Sequence, residues 1–242
     1  MKTLAVTTEP VSEIFSAFGG RAMTSAIINN EVDPLAIPLG PANKLVFAAG
    51  LLGGSAAPVS GHLSVGAKSP LTGGIKESNS GGQAGQILAR LGIRALIIED
   101  KPETSDKCYT LELRADGATL VESSEPKGLG NYDTVAKLVE KYGDRKVGYI
   151  TIGMAGEFGM TAASIAVTDR EIRPTRHAGR GGLGAVMGSK CLKAIYLDDS
   201  EVSMRQPKDK EAFKAASKNR RRQKRRFPPL SFPSTGTAFR VQ

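Results

Sequence analysis

Glu77-Ser-Asn-Ser-Gly-Gly82 and Arg176-His-Ala-Gly-Arg-Gly-Gly-Leu-Gly184 are two glycine-rich stretches about a hundred residues apart, each followed by a helical run and an apolar strand. After the first, Gln83 to Leu91 reads as helix and Arg94-Ala-Leu-Ile-Ile98 as a strand closed by Glu99-Asp100. After the second, Leu183 to Ser189 reads as helix and Leu192-Lys-Ala-Ile-Tyr-Leu197 as a strand closed by Asp198-Asp199. Glycine admits positive φ and close backbone approach, and the first N–H groups of a helix are unpaired at the positive end of its dipole. Both stretches therefore aim donors at an anion, and a chain that builds this cradle twice is expected to hold two phosphates.

The likeness extends upstream. Lys44-Leu-Val-Phe-Ala-Ala-Gly50 matches Val147-Gly-Tyr-Ile-Thr-Ile-Gly153 as a strand ending in glycine, and His62-Leu-Ser-Val-Gly-Ala67 matches Ala163-Ser-Ile-Ala-Val167 as a second strand. Each unit reads strand, Gly-rich loop, strand, basic loop, Gly-Gly, helix, strand, acid pair, which suggests an internal duplication. Between the units, Lys107 to Leu113 alternates at period two, Asp116-Gly117 supplies a hairpin turn and Ala118 to Glu122 returns. Asn131 to Tyr142 carries a helical apolar stripe stopped by Gly143, and Val11 to Asn30 reads as a helix interrupted at Gly19-Gly20. The expected class is α+β, richer in strand than in helix.

With 242 residues the chain can bury a substantial core. Only Cys108 and Cys191 are present, which suits a reducing compartment with both thiols buried as small apolar residues. The apolar run from Leu45 to Val59 is broken by Gly50, Gly53, Gly54 and Pro58, so no membrane span is expected, and Met1 to Glu9 lacks the apolar core of a signal peptide. The cytoplasm is the expected address.

The formal charge of +9 has one location. From Lys208 onward stand eleven basic residues against Asp209 and Glu211, leaving 22 basic and 22 acidic residues before them. Basicity thus says nothing about the ligand of residues 1–205, and nucleic acid is not an expected partner of that domain. The tail, 206–242, runs from Arg220-Arg-Arg-Gln-Lys-Arg-Arg226 into a Pro- and Ser-rich end, a composition that reads as disordered or as an out-of-register end to a truncated chain. Gly179-Arg-Gly-Gly-Leu-Gly184 also satisfies the dinucleotide fingerprint G-x-G-x-x-G, with Asp198 placed as a ribose acid would be. A buried apolar strand should precede the first glycine, and Thr168 to His177 cannot be one.

Asp33-Pro-Leu, Pro41 to Gly50, Ala67-Lys-Ser-Pro-Leu-Thr-Gly73, Ser78-Asn-Ser-Gly-Gly82, Ile152-Gly-Met-Ala-Gly-Glu157 and Ala178 to Lys190 together resemble the N-terminal domain of the tungsten-dependent aldehyde ferredoxin oxidoreductases, over roughly residues 15 to 200. The resemblance implies two halves about an approximate two-fold axis, gripping two pyranopterins whose dithiolene sulfurs hold one tungsten or molybdenum. It implies that the main-chain oxygens of Asn79 and His177 bind a Mg²⁺ linking the pterin phosphates, that Gly81 donates its N–H to a phosphate, and that Arg176 and Arg180 supply charge-assisted bonds. His62, Ala178, Gly179 and Gly181 complete the implied cofactor contacts. No catalytic residue is assigned.

Departures from the family pattern are specific. His62 stands where arginine is usual, weakening one phosphate contact; Ala22 replaces a glycine after Gly19-Gly20-Arg21; His177 replaces a small residue. The family's 4Fe-4S cluster needs four cysteines in the domains that follow, and no such set occurs here. The resemblance implies an enzyme that oxidises an aldehyde to a carboxylic acid and passes electrons to ferredoxin, with this chain inactive alone and either lacking C-terminal domains or acting as a homodimer. The alternatives are a stand-alone cofactor-binding module working with a separate Cys-rich subunit, and a nucleotide- or nucleic-acid-binding protein using the basic tail.

Overall fold

The computed structural model describes residues 1–104, 106–143 and 147–226. A short 3-10 turn (Glu13–Phe15) leads to α1 (Arg21–Glu31); then come β1 (Leu45–Ala49), β2 (Leu63–Lys68), β3 (Ile75–Ser80), α2 (Ala84–Arg90) and β4 (Ala95–Ile98). The hairpin β5 (Tyr109–Arg114) and β6 (Gly117–Glu122) and the helix α3 (Asn131–Tyr142) follow. The second unit is β7 (Val147–Thr151), α4 (Met154–Glu157), β8 (Ile165–Val167), β9 (Arg176–Ala178), α5 (Leu183–Ser189) and β10 (Leu192–Asp198), and α6 (Lys210–Arg226) ends the described chain.

One connectivity occurs twice. The first sheet has the order β3-β2-β1-β4 with every neighbouring pair antiparallel, and the second contains β9-β8-β7-β10, likewise antiparallel. The hairpin extends the second sheet, β5 lying parallel to β10. In this arrangement β9 and β10 are antiparallel and not neighbours, so the unit around Gly179 lacks the parallel βαβ crossover that a dinucleotide site requires.

Period-two alternation sorts each strand's side chains between layers. Leu45 and Phe47 of β1 join the main core, which also takes Ile87 and Leu88 of α2, Val186 and Met187 of α5, and Ile150, Ile165, Ile195 and Leu197 of the second sheet. Val46 and Ala48 face the other way, onto Met23, Ile27 and Ile28 of α1. On the second sheet Tyr149, Ala194 and Tyr196 turn outward to Val135 and Leu138 of α3. Both sheets are thus covered on two faces, which is why their central strands read as continuous apolar runs.

Several expectations are corrected. The "basic loops" before the glycines are the strands β3 and β9, which are sheet edges and so carry exposed polar residues instead of an apolar pattern. The helix α1 starts only after the break at Gly20, whose φ is +54°. The hairpin pairs Arg114 with Gly117, so Ala115-Asp116 make the turn. Residues 210–226, expected without regular structure, form α6, which also makes helix outweigh strand over the described chain. The remainder of the tail lies outside the described residues. Among the described residues no helix is long and apolar enough to cross a membrane.

Among the described residues, Lys190 and Lys193 lie inside. The ammonium of Lys193 meets Glu157 and donates to Leu129 O at 2.9 Å, tying β10 to α4. Lys190, fully buried, donates to Asn43 O at 2.6 Å and Asp100 O at 2.9 Å, closing the α5–β10 joint onto the first sheet. Burial pulls Lys190 down to about 8 while Asp100 and Glu99 oppose it. Between that value and the ordinary lysine range near pH 10.5 the unfolded chain binds the proton that the folded chain has lost, so this residue makes stability rise with pH across that window. The expected contribution is up to about 3 kcal/mol. Urea denaturation at pH 7.5 and 10 should show the rise shrinking in Lys190→Met; equal pH responses of the two proteins would refute it.

Candidate functional site: paired glycine cradles

The two cradles meet. Strands β3 and β9, the edges that deliver the chain into α2 and α5, pack against each other. A Cβ on Gly81 would lie 3.8 Å from Cδ of Arg176, so the first cradle faces the strand that opens the second. Register makes the correspondence explicit: Ala48 pairs with Ser64 and Ser64 with Asn79, as Thr151 pairs with Ala166 and Ala166 with His177. Asn79 and His177 therefore hold equivalent places in the two halves.

Their side chains repeat the correspondence. Asn79 Oδ1 lies 2.5 Å from His62 Nδ1, and His177 Nδ1 lies 2.9 Å from Ser164 Oγ. In each half the residue preceding or opening the second strand bonds the third-strand residue, with histidine on opposite sides of the pair. Asn79 Nδ2 also donates to Ser64 Oγ at 3.2 Å.

Each cradle is braced by the other half. Gln83 N–H at the start of α2 donates to Thr168 O at 3.0 Å, just beyond β8. Ser69 Oγ, just beyond β2, donates to Gly181 O at 2.7 Å, and Arg180 N–H donates to Ser78 Oγ at 3.3 Å. The glycines make this possible. Gly82 and Gly181 have φ near +97° and +90°, and a Cβ would stand 2.6 Å from Thr168 O at the first and 2.2 Å from Lys76 Cγ at the second. Gly85 and Gly184 press α2 and α5 onto the chain entering β2 and β8, where a Cβ would come within 2.6 Å of Gly61 O and 2.5 Å of Ser164 O. Gly179, by contrast, has nothing within 4 Å of a Cβ position, leaving open space beside exposed Arg176, His177 and Arg180.

The electrostatics favour an anion. Among the described residues neither Arg176 nor Arg180 forms an ion pair, whereas Arg173 is committed to Asp169 at 3.1 Å and Glu171 at 2.5 Å. Asp169 fixes the loop into β9. Desolvation works against its charge, yet the Arg173 backbone N–H, the Thr175 hydroxyl and the Arg173 side chain hold its carboxyl at about 2. No group of three His, Cys, Asp or Glu side chains that could hold a metal occurs among the described residues, so a hard cation here would rest on main-chain or ligand oxygens.

Of the residues marked from sequence, Asn79, Gly81, Arg176, His177, Ala178, Gly179, Arg180 and Gly181 are on or between β3, β9 and the helices they feed, and His62 reaches them through Asn79. Ala178 and Gly181 are buried, while Asn79, Arg176, His177, Gly179 and Arg180 are exposed. Sequence reading missed Ser69, Ser78 and Thr168, which tie one half to the other. Ser69 and Ser78 stood inside quoted motifs without a role of their own, and the signal left by Thr168 was its placement just after the second strand of a unit.

Two sheets of like strand order, with glycine-rich turns that meet, define the class of fold: a mixed α+β domain with its candidate site where β3 and β9 pack together. Residues 1–199 match the family model described as Aldehyde ferredoxin oxidoreductase, N-terminal domain, and the chain belongs to that family. It is 39% identical over 184 residues to the tungsten-containing aldehyde ferredoxin oxidoreductase of Pyrococcus furiosus, covering 76% of this chain and 29% of that protein. The protein of the same name from Thermococcus kodakarensis is 36% identical over 226 residues, 92% of this chain and 36% of that one. A match of that extent cannot fit within residues 1–205 and takes in part of α6. The chain thus spans about a third of the length of these relatives. Among solved structures, the active site complex BamBC of benzoyl coenzyme A reductase with 1,5-dienoyl-CoA superposes with a TM-score of 0.78 at 26% identity, covering 90% of this chain and 32% of that one.

Proposed function

We propose that this chain holds the bis-pyranopterin tungsten or molybdenum cofactor of an aldehyde:ferredoxin oxidoreductase, with 1–205 as the cofactor domain and its halves related by an approximate two-fold axis. The observation that carries the reading is the approach of Arg176 to Gly81, which lays the stem of an arginine from one half, in no ion pair among the described residues, beside the other half's cradle. The backbone N–H of Gly81 and the forks of Arg176 and Arg180 would hold the two phosphates, with His62, Ala178, Gly179 and Gly181 lining the cradles. The carbonyls of Asn79 and His177 would share a Mg²⁺ between those phosphates. The open side of Gly179 and the unpaired arginines fit such a group. When bound, the metal and its dithiolene sulfurs supply the oxygen and electron transfer that turns an aldehyde into an acid.

Two cysteines cannot ligate a four-cysteine cluster, so ferredoxin reduction would depend on residues outside this sequence, and the chain alone should not turn over. A second reading, a separate module paired with a Cys-rich subunit, draws on the structural neighbour, which is described as the active site complex BamBC. Chain purified from cells grown with tungstate or molybdate should carry one heavy metal per two pterins, by elemental analysis and pterin fluorescence. Background levels of both would sink the proposal, and a stoichiometric co-purifying subunit would favour the second reading.

A further inference from the structure

The sequence contains two cysteines, 108 and 191, and the fold makes them neighbours. The parallel pairing of β5 with β10 sets Tyr109 opposite Leu192, and Tyr109 N–H donates to Cys191 O at 2.9 Å, so the two cysteines occupy adjoining positions where the strands begin. We propose that Cys108 and Cys191 form a dithiol modification site, oxidised by a small-molecule disulfide to one intramolecular bond that staples the β5 hairpin to the α5–β10 joint.

One geometric rule and two observations bear on this pair, which stands one residue before the first partners of β5 and β10. Neighbouring parallel strands run about 4.8 Å apart, inside the Cα separation of about 4.4–6.8 Å that a disulfide spans. Cys191 lies near enough to be the last of the groups that raise Cys108, behind burial, the main cause, and Glu157. Cys191 holds φ +56°, a left-handed conformation that favours glycine or asparagine, so cysteine occupies this place at a conformational cost and not because the backbone prefers it.

The surroundings order the two steps. Burial raises both thiols, but Cys191 is half-buried with its sulfur 4.0 Å from Thr104 O, whereas Cys108 is buried, donates to Ser123 O at 3.0 Å and is pushed up to about 11. The Cys191 thiolate attacks the small disulfide, forming a mixed disulfide and releasing one small thiol. Cys108 then leaves Ser123 O, loses its proton to solvent, attacks the Cys191 sulfur and expels the second small thiol. Two protein thiols are oxidised and one disulfide is reduced to two thiols, so atoms and electrons balance.

The test is titration of the folded chain with oxidised glutathione, followed by denaturation in excess alkylating agent, intact mass and non-reducing peptide mapping. The expected product has lost two hydrogens, takes up no alkylating agent and yields a cross-linked peptide joining Cys108 and Cys191. In Cys108→Ser the reaction should stop at a glutathione adduct on Cys191, and Cys191→Asn should leave Cys108 unmodified. A wild-type protein that keeps a stable adduct with Cys108 free overturns the proposal. So does one in which neither thiol reacts while the fold persists.

Discussion

Replacing Gly188 with alanine is expected to lower the melting temperature by about 6–12 °C, because α5 meets α4 through bare backbone at this residue. A Cβ there would stand 2.0 Å from Gly156 O and 2.6 Å from Gly156 C, and the reciprocal position on Gly156 is 2.9 Å from Gly184 O. Main-chain atoms cannot swing aside as a side-chain tip can, so α4 must move away from α5. That movement also pulls Glu157, in α4, off the buried ammonium of Lys193. Overpacking alone costs about 1–3 kcal/mol, and separating a buried charge pair adds to it. Alanine recovers up to about 1 kcal/mol of helix propensity, which leaves a net loss of about 3 kcal/mol. For a chain of this size each kcal/mol moves the midpoint by about 2–4 °C. Gly179→Ala is the control, because open space surrounds that position and its midpoint should stay within about 2 °C. Equal midpoints for Gly188→Ala and the unaltered protein would show that α4 and α5 are not in backbone contact.

How much of this was legible in the sequence follows from where each signal lives. β1, β7 and β10 are buried on both faces, so Leu45-Val-Phe-Ala-Ala49, Val147-Gly-Tyr-Ile-Thr151 and Leu192-Lys-Ala-Ile-Tyr-Leu197 announce themselves as apolar runs. Even Lys193 within β10 does not break the signal, because Glu157 and Leu129 O satisfy it from outside the strand. The amphipathic stripe of α3 and the glycine stops are local, and the structure keeps the stripe at Val135, Leu138, Val139 and Tyr142 but leaves Tyr132, expected on it, exposed. β3 and β9 escaped because edge strands need no apolar alternation: Lys76-Glu77-Ser78-Asn79 and Arg176-His177 show the composition of a loop. The parallel docking of β5 on β10 joins positions some eighty residues apart and leaves no short-range mark. The adjacency of Cys108 and Cys191 was hidden for the same reason. In the cradles, the glycines and arginines could be read from their motif, but Ser69, Ser78 and Thr168 act through single cross-half bonds that impose no spacing rule.

Changing Arg176 and Arg180 together to glutamine is expected to cut retention of metal and pterin at least about a hundredfold while leaving the fold in place. Both side chains are exposed and free of ion pairs among the described residues, so stability has little stake in them. A charge-assisted hydrogen bond contributes about 1.5–3 kcal/mol, and two lost together give about 3–6 kcal/mol against roughly 1.4 kcal/mol per tenfold in affinity. Lysine at both positions keeps the charge but not the planar two-pronged donor, so Arg176→Lys with Arg180→Lys should recover part of the loss and not all of it. The measurement is heavy metal and pterin per mole of protein after gel filtration, alongside a melting curve for each variant. If these arginines are only solvated surface charges, the glutamine protein will carry as much cofactor as its parent. A cofactor loss accompanied by a fallen midpoint would instead assign the effect to the β3–β9 contact, where Arg176 lies against Gly81.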